Sequence, residues 1–443
     1  MNLDASGDGH AIVPGHAHRL DPAPVGGLES LRRRNTAQVA RALLQLGASA
    51  RAEIARTTGL SATSLTKITA YMIRMRVIRE LAVVMGGDTG RPRVPVALDT
   101  SHHRFIGLHI GLRRTTGGLL DLAGNVVVEH AVTHRRPTRS GILAEARDLH
   151  TELVAAAGGA DRVLGTGIVT GGRVDPARGV VVEHPLLGWR DVPLVTEIGP
   201  AGHPVLVDSS VRGLALAETY LGAARDTSSS VFLFIGNIVG AGLMIDGRLR
   251  KGHDAAAGTI DHLSLGTDAL DADAPGERCR CGRRDCLAAL ASDVAVLARA
   301  RSAGIVRPHA SFESLVKKSR TGDPAATDLL RTRAELAGVA AATLLDLLDP
   351  DLLVLGGGLL QTPEHLGALR SAAARRLTRP DAADRIVPTG LGAGSLVRGS
   401  ASLVLHAFFT DPVGMLPAHS AGAGRPSLTG AASDGYGRAR GSA

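Results

Sequence analysis

Apolar residues recur at helical spacing in three consecutive stretches near the start of the chain. Val39, Leu43 and Leu46 share one face of a helix predicted over 36–46, which Gly47 ends as a C-cap. Ile54 and Ala55 face inward from a short helix over 51–58, and Leu65, Ile68 and Met72 mark the buried face of a third over 62–73. Gly59, Leu60 and Ser61 read as a tight turn between the last two, with the Ser61 hydroxyl placed to cap the third helix. Ala50 stands where a capping serine would be expected three residues before Glu53. The period then falls to two: residues 77–81 and the trio Val94, Val96 and Leu98 read as strands around a glycine-rich turn at 86–90. Residues 99–104 read as a short linker. From Phe105 onward hairpins, buried strands and apolar helices alternate twice in similar order. The first set is a hairpin over 105–121, a strand at 126–129, a helix over 140–157, a strand at 164–169, a strand at 205–207 and a helix over 211–221. The second set has strands at 231–235 and 242–245, helices over 287–303 and 329–348, and a strand at 351–355 that ends in Gly356, Gly357 and Gly358. Two related α/β lobes with a cleft between them are expected.

The face of the third helix not needed for burial carries Ala62, Thr63, Ser64, Lys67 and Arg74. Two helices joined by a glycine turn, the second polar outward, form a helix-turn-helix pattern, and the following hairpin reads as its wing. Between Leu31 and Arg93 stand twelve basic and three acidic residues, a net charge of +9 where the whole chain carries +8. The positive charge is therefore concentrated where phosphates would be met. Arg51, Ser61, Thr63, Ser64 and Lys67, with Arg91 and Arg93 at the base of the wing, are the expected contacts to double-stranded DNA. The competing reading is a small helical domain with a solvated basic face.

Composition narrows the remaining classes. A chain of 443 residues, 44% of them hydrophobic, is too long for one core. Residues 1–28 and 412–443, rich in Gly, Pro, Ala, Ser and His without period, are expected to be disordered. They bracket a DNA-binding unit over 29–99 and an α/β body over 105–411. No apolar run reaches the roughly 18 residues a membrane helix needs. The N-terminus has no signal-peptide core, so no membrane partner and a cytoplasmic location are expected. Aromatic residues make up only 2% of the chain, which argues against a stacking platform for single strands.

All three cysteines fall within eight residues, Cys279, Cys281 and Cys286, with His262 upstream. That clustering excludes a disulfide framework. Three thiols and an imidazole are the ligand types of a closed tetrahedral zinc site, and soft thiolates favour zinc over magnesium or calcium. Arg278, Arg280, Arg283 and Arg284 are expected to favour the thiolates, and Gly282 to permit the knuckle turn. A redox dithiol or unligated thiols are the competing readings. With all four positions closed by protein groups, the metal's role is structural.

The zinc knuckle over 258–287, with Gly258, Thr259, Ile260, Asp261 and His262 at its start, resembles the signature of the ROK family of repressors, open reading frames and sugar kinases. Residues 240–249, the 351–358 strand and turn, and the 185–193 segment around Trp189 support the likeness, which covers about 36–409. The resemblance implies an actin-like ATPase fold from Phe105 onward, assembly as homodimers or homotetramers, and His262, Cys279, Cys281 and Cys286 as zinc ligands. The kinase parts depart from the family pattern. Where a phosphate loop of the form Asp-x-Gly-Gly-Thr-Lys is expected, this chain has His109, Ile110, Gly111, Leu112, Arg113 and Arg114. Ser209 and Ser210 stand where the catalytic Asn-Asp pair is expected, with Asp208 one residue displaced, and a serine at its ordinary pKa is no base for a sugar hydroxyl. Ile238 replaces a glycine of the second phosphate loop, Thr259 a sugar-binding glutamate and Leu186 an asparagine. The glycine turn at 356–358 fits either the adenine side of a nucleotide site or a plain turn after a buried strand.

The combined expectation is a DNA-binding transcriptional regulator, most simply a repressor, whose degenerate sugar-kinase body senses an effector and oligomerises. Trp189, Asp208, Asp261 and His262 are the residues left to hold a sugar or sugar derivative, though a single Trp is more often core than platform. Two recognition helices of a dimer would then meet a palindromic operator about one DNA turn, roughly 34 Å, apart. The alternatives are an active ATP-dependent sugar kinase joined to a DNA-binding domain, and a regulator with no small-molecule effector.

Overall fold

The structure, a computed structural model, describes residues 27–82, 94–198, 202–266, 278–359 and 363–416. The N-terminal unit runs α1 (Leu28–Leu46), β1 (Ser49–Ala50), α2 (Arg51–Thr58), α3 (Ala62–Arg74), β2 (Ile78–Glu80) and β3 (Pro95–Leu98). Its three strands pair antiparallel in the order β1-β3-β2, the strand order of a winged helix. Ser61 caps α3 by accepting from the Ser64 amide at 3.2 Å, and Ala50 offers α2 no side-chain cap. Leu65, Ile68 and Met72 are buried, so the apolar spacing reports the inner face. The expected turn at 86–90, together with Arg91 and Arg93, lies outside the described residues.

The first helix is longer than its apolar spacing indicates, beginning at Leu28. Its added turns are held by Glu29, which pairs with Arg32 and Arg33, and by an ion pair from Arg33 to Asp411 at 2.9 Å. Leu28 and residues 412–415 are thus helical, where disorder was expected; apart from Gly27 and Leu416, the rest of both expected tails lies outside the described residues.

Each lobe of the body is built on a five-stranded sheet. The first contains β4 (Arg104–Ile110), β5 (Arg114–Leu120), β6 (Val126–Thr133), α4 (Arg139–Ala156), β7 (Val163–Thr170), a side hairpin of β8 (Arg173–Asp175), β9 (Val180–His184) and β10 (Trp189–Val192), α5 (Leu194–Ile198), β11 (Val205–Ser209) and α6 (Ser210–Leu221). The second contains β12 (Ser230–Ile235), β13 (Val239–Ile245), β14 (Arg248–Arg250), α7 (Leu287–Ala291), α8 (Asp293–Ser302), α9 (Phe312–Arg320), α10 (Pro324–Leu348), β15 (Leu352–Gly357), α11 (Pro363–Ala374) and β16 (Ile386–Pro388). The sheets have equivalent orders, β11-β7-β4-β5-β6 and β14-β13-β12-β15-β16. In each, an antiparallel three-strand meander is extended by two parallel strands. This is the duplicated α/β arrangement anticipated from the repeated pattern. The helix expected over 287–303 is two helices, because Ser292 is extended and caps α8, accepting from the Ala295 amide at 3.2 Å.

The chain then returns. Helix α12 (Ser395–Thr410) packs against β4, β5, β7 and α6, and α13 (Pro412–Met415) follows it. Small residues permit the fit: a Cβ on Gly107 of β4 would lie 2.7 Å from the Val397 carbonyl oxygen. The far end of α12 joins the N-terminal unit to the first lobe. Val39, Leu43, Ile54, Leu65 and Met72 share one apolar cluster with Phe105, Val404, Phe408 and Phe409. The expected linker is itself a built joint. His103 is buried against the Met75 carbonyl at 2.9 Å, and Asp99 accepts from the Ser101 amide and hydroxyl.

Candidate functional site

Three features carry chemistry, beginning with the outward face of α3. Ala62, Thr63, Thr66, Lys67 and Arg74 are exposed, while Ser64 is half-buried. Ser61 is exposed, but its hydroxyl is committed to the Ser64 amide and lies 3.0 Å from the Ser64 hydroxyl. Arg51 does not face outward freely. Its guanidinium pairs with Glu80 at 2.6 Å and donates to the Val94 carbonyl, locking the start of α2 to the wing strands. Arg74 and Arg32 lie over the Tyr71 ring at 5.6 and 4.7 Å, so part of the basic segment is spent on holding α1 to α3.

The second feature is a cavity of about 500 Å³ between the lobes. Its walls come from the β8–β10 hairpin, the first turn of α6, the β12–β13 turn, the 255–262 segment and α8. Thr259, Asp261 and His262 line it, as do Ser209, Arg212 and Ile238. Two expected effector residues do not. Trp189 is 3% exposed in the core of the first lobe, packed with Val174, Val181 and Leu194; it and Val192 are the two buried residues of β10. Asp208 is buried and bound by Arg212 at 2.5 Å. Burial pushes its carboxyl up, opposed by the Arg212 charge and the Ser209 amide. Arg212 also donates to the Ala255 and Val174 carbonyls, tying α6 to both sides of the cleft. Arg212 was not singled out from the sequence, although a charged residue four positions after Asp208 in a largely apolar helix is a readable signal.

The positions where phosphate loops are expected have their own internal logic. Between β4 and β5 the Gly111 amide donates to the Arg114 carbonyl at 3.0 Å, closing a tight turn with Leu112 and Arg113 at its tip. His109 beside it is pushed down to about 4 by burial and the Arg114 charge, so it is a neutral imidazole at pH 7. The glycine turn after β15 is explained by packing. Gly357 has φ +87°, and the Gly358 carbonyl accepts from Arg333. Arg333 is buried and also reaches Ala291, Ile235 and the Asp293 carboxylate at 2.5 Å, with the Phe312 ring 4.8 Å from its guanidinium.

The third feature is the cysteine cluster. One ligand atom each from His262, Cys279, Cys281 and Cys286 lies within 4.8 Å of all the others, so the four can hold a metal ion. His262 Nδ1 is 3.1 Å from Cys279 Sγ, and Cys281 Sγ is 3.4 Å from Cys286 Sγ. Gly282 turns the knuckle with φ +87°, its amide donating to the Cys279 carbonyl. His262 Nε2 faces Asp261 Oδ2 at 3.4 Å, the outer carboxylate that orients a ligand imidazole. Asp261 therefore serves the cluster as well as the cavity. The Cys281 thiol is pulled down to about 7, first by the Arg283 backbone amide rather than by the surrounding guanidinium charges, and burial pushes Cys286 up to about 12. The cluster forms part of the cavity wall through His262 and Cys279.

The ROK family model matches residues 105–407, the whole two-lobed body. The chain belongs to the ROK family. It is 32% identical over 403 residues to the transcriptional regulator Rv0485 of Mycobacterium tuberculosis, covering 86% of this chain and 87% of that protein. It is 25% identical to the DNA-binding transcriptional dual regulator NagC of Escherichia coli, over 78% of this chain and 85% of that one. The crystal structure of a ROK family transcriptional regulator, a homologue of the E. coli MLC protein, superposes with a TM-score of 0.71 at 25% identity. That superposition spans 87% of this chain and 98% of the other, so the likeness reaches across the N-terminal unit as well as the body. Solved ROK sugar kinases match the body over 68% of this chain and have its actin-like ATPase fold. This ROK chain is a DNA-binding transcriptional regulator with a kinase-like body. Among its described residues no helix is long and apolar enough to cross a membrane.

Proposed function

We propose that this ROK regulator is a cytoplasmic repressor that binds a palindromic duplex operator as a homodimer or homotetramer, and that its body senses a sugar or sugar derivative rather than phosphorylating one. The observation that carries the reading is the arrangement of α3. Its apolar face is sealed into a core shared with the first lobe, and Thr63, Thr66 and Lys67 stand exposed on the opposite face. Thr63, Ser64 and Lys67 meet base edges or phosphates, Ser61 holds the helix start that faces the backbone, and Arg91 and Arg93 grip phosphate from the wing. Arg51 acts indirectly, by fixing the wing strands.

Loss of phosphoryl transfer is supported by Ser209 and Ser210, which offer no ionised base, and by the closed turn at Leu112 and Arg113. Zinc is the metal best suited to one imidazole and three thiols, and it stiffens the cleft wall without taking part in chemistry. Asp261 lies beside the cleft to meet ligand hydroxyls, whereas His262 is committed to the metal. Ligand closing the lobes shifts the population of two arrangements, and the shared core carries that shift to α3.

Selection of bound sequences from random duplexes by the full-length, zinc-loaded protein tests the reading. One enriched motif with two-fold symmetry is expected, together with no ATP-dependent phosphorylation of hexoses above background. Failure to enrich any duplex at moderate salt, or kinase turnover, would overturn it.

A further inference from the structure

The cleft wall holds polar atoms with no partner among the described residues: the Ser209 hydroxyl, on a residue 4% exposed, and Asp261 Oδ1. Buried oxygen atoms of this kind wait for a donor or an acceptor, and in a cavity the ligand supplies it. Asn237 stands exposed at the same opening.

The same wall, beside the charged Arg173, Glu183, Arg278 and Arg280, also carries apolar side chains. Ile238 projects from the β12–β13 turn to the opposite lobe, where its Cγ2 would sit 3.3 Å from a Cβ on Gly171. Leu186 of the first lobe and Val294 of the second both line the cavity, yet remain 47% and 43% exposed. Among the described residues they belong to the small set of large apolar side chains left in water, and both line this one cavity. A bare hexose would satisfy the polar atoms and leave this apolar surface wet, in a space of about 500 Å³.

We propose that the cleft takes a sugar bearing an apolar substituent, an alkyl or aryl glycoside. The sugar hydroxyls pair with Ser209, Asp261 and Asn237. The substituent lies along Ile238 and between Leu186 and Val294, covering surface that a free sugar leaves exposed. This assignment rests on the reading of the body as a ligand sensor and adds the chemical class of the ligand.

Calorimetric titration of the full-length, metal-loaded protein tests it. The probes are glucose, galactose, mannose and N-acetylglucosamine, each beside its methyl, butyl and phenyl glycosides. At least one sugar is expected to gain tenfold or more in affinity from methyl to butyl or phenyl. Leu186→Asn with Val294→Asn should abolish that gain; both positions are exposed, so the fold is retained. A gain that survives the double substitution overturns the assignment, as does equal binding of free sugar and glycoside. Operator binding measured alongside separates the two readings. A free sugar that binds and alters DNA affinity, with no gain from the substituent, sinks this inference and leaves the sensor standing. Absence of any binding, with DNA affinity intact, removes both the inference and the sensor.

Discussion

The Tyr220 hydroxyl lies 2.9 Å from His406 Nδ1, joining the last turn of α6 to α12. The Tyr220 ring also stacks on Phe409, with centroids 5.8 Å apart and planes at 25°. Burial pushes the phenol up to about 12, so it stays protonated. The first turn of α6 meets the cleft through Val211 and Arg212, while Phe408 and Phe409 of α12 lie in the cluster that contains α1 and α3. One pair of packed helices therefore runs from the cleft between the lobes to the N-terminal unit.

Tyr220→Phe removes the hydroxyl and keeps the ring. It should cost about 1 kcal/mol of stability and leave operator affinity of the free protein unchanged, while reducing the change in affinity that ligand produces. Gly213→Ala should be harsher, because its Cβ would meet the Gly399 carbonyl oxygen at 2.6 Å and force α6 from α12. A loss of about 1–3 kcal/mol is expected for such overpacking. Urea unfolding and operator titration with and without ligand read both.

Lys67 and Arg51 should behave differently although both are basic and lie in the N-terminal unit. Lys67→Ala should weaken binding to all duplexes alike and lower the slope of log affinity against log salt by about 1. Arg51→Ala removes a part-exposed pair with Glu80, so it should cost at most about 1 kcal/mol of stability and leave the salt slope nearly unchanged. Fluorescence anisotropy across a salt series separates the two.

Arg333→Met should be among the most damaging single substitutions in the second lobe. Arg333 is 1% exposed and bonds the Asp293 carboxylate and three carbonyls. Burial already pushes the Asp293 carboxyl up against the Arg333 charge, and removing that charge strands it. About 3–5 kcal/mol is expected, and Asp293→Asn combined with Arg333→Met should recover part of the loss. Chemical denaturation of the single and double variants measures it.

Removing the metal should loosen the cleft wall. Chelation, or Cys281→Ser, should lower the melting temperature by several degrees, with zinc restoring the chelated wild type but not the variant. Because protons compete for the thiolates and the imidazole, retention of metal should weaken as pH falls. Metal content by mass spectrometry across pH and thermal melts with added zinc follow both effects.

What was legible in the sequence is what local chemistry decides. The Ser61 cap, the αL turn at Gly59 and the burial of Leu65, Ile68 and Met72 depend on neighbours within a few residues. So does the knuckle turn at Gly282. The duplicated strand pattern was readable because buried strands are apolar runs whose order repeats. Helix α12 was not, because Val397, Ala401, Val404, Leu405 and Phe408 are buried along most of its circumference and leave no polar face to set a period. The cleft was only partly readable. Asp261 and His262 sit in a recognisable motif, but whether Trp189 and Asp208 face inward or outward depends on strand register and on Arg212, which no spacing along the chain reveals. Arg333 likewise reads as an ordinary helix residue until the turn after β15 folds over it.

Acid should destabilise the protein before its carboxylates protonate. His184, 2% exposed, is pushed down from 6.5 to about 4 by burial, and its Nδ1 lies 3.3 Å from the Leu187 amide. His203 and His109 are pushed down similarly. Between these folded values and 6.5 the unfolded chain binds protons that the native state refuses. Stability therefore rises with pH across that window and is fully present above it. His184 alone accounts for a loss on the order of 3 kcal/mol by pH 4. Hydrogen bonds from Ser264, the Ala326 amide and Arg385 hold Asp285, Asp323 and Asp349 below the ordinary carboxylate value, so a fall in urea midpoint between pH 6.5 and 5 reports chiefly the histidines. His184→Gln keeps a polar group of similar reach and removes the titration. It should flatten the dependence in that interval by the share His184 supplies, and an unchanged slope would show that the imidazole is already charged in the folded protein.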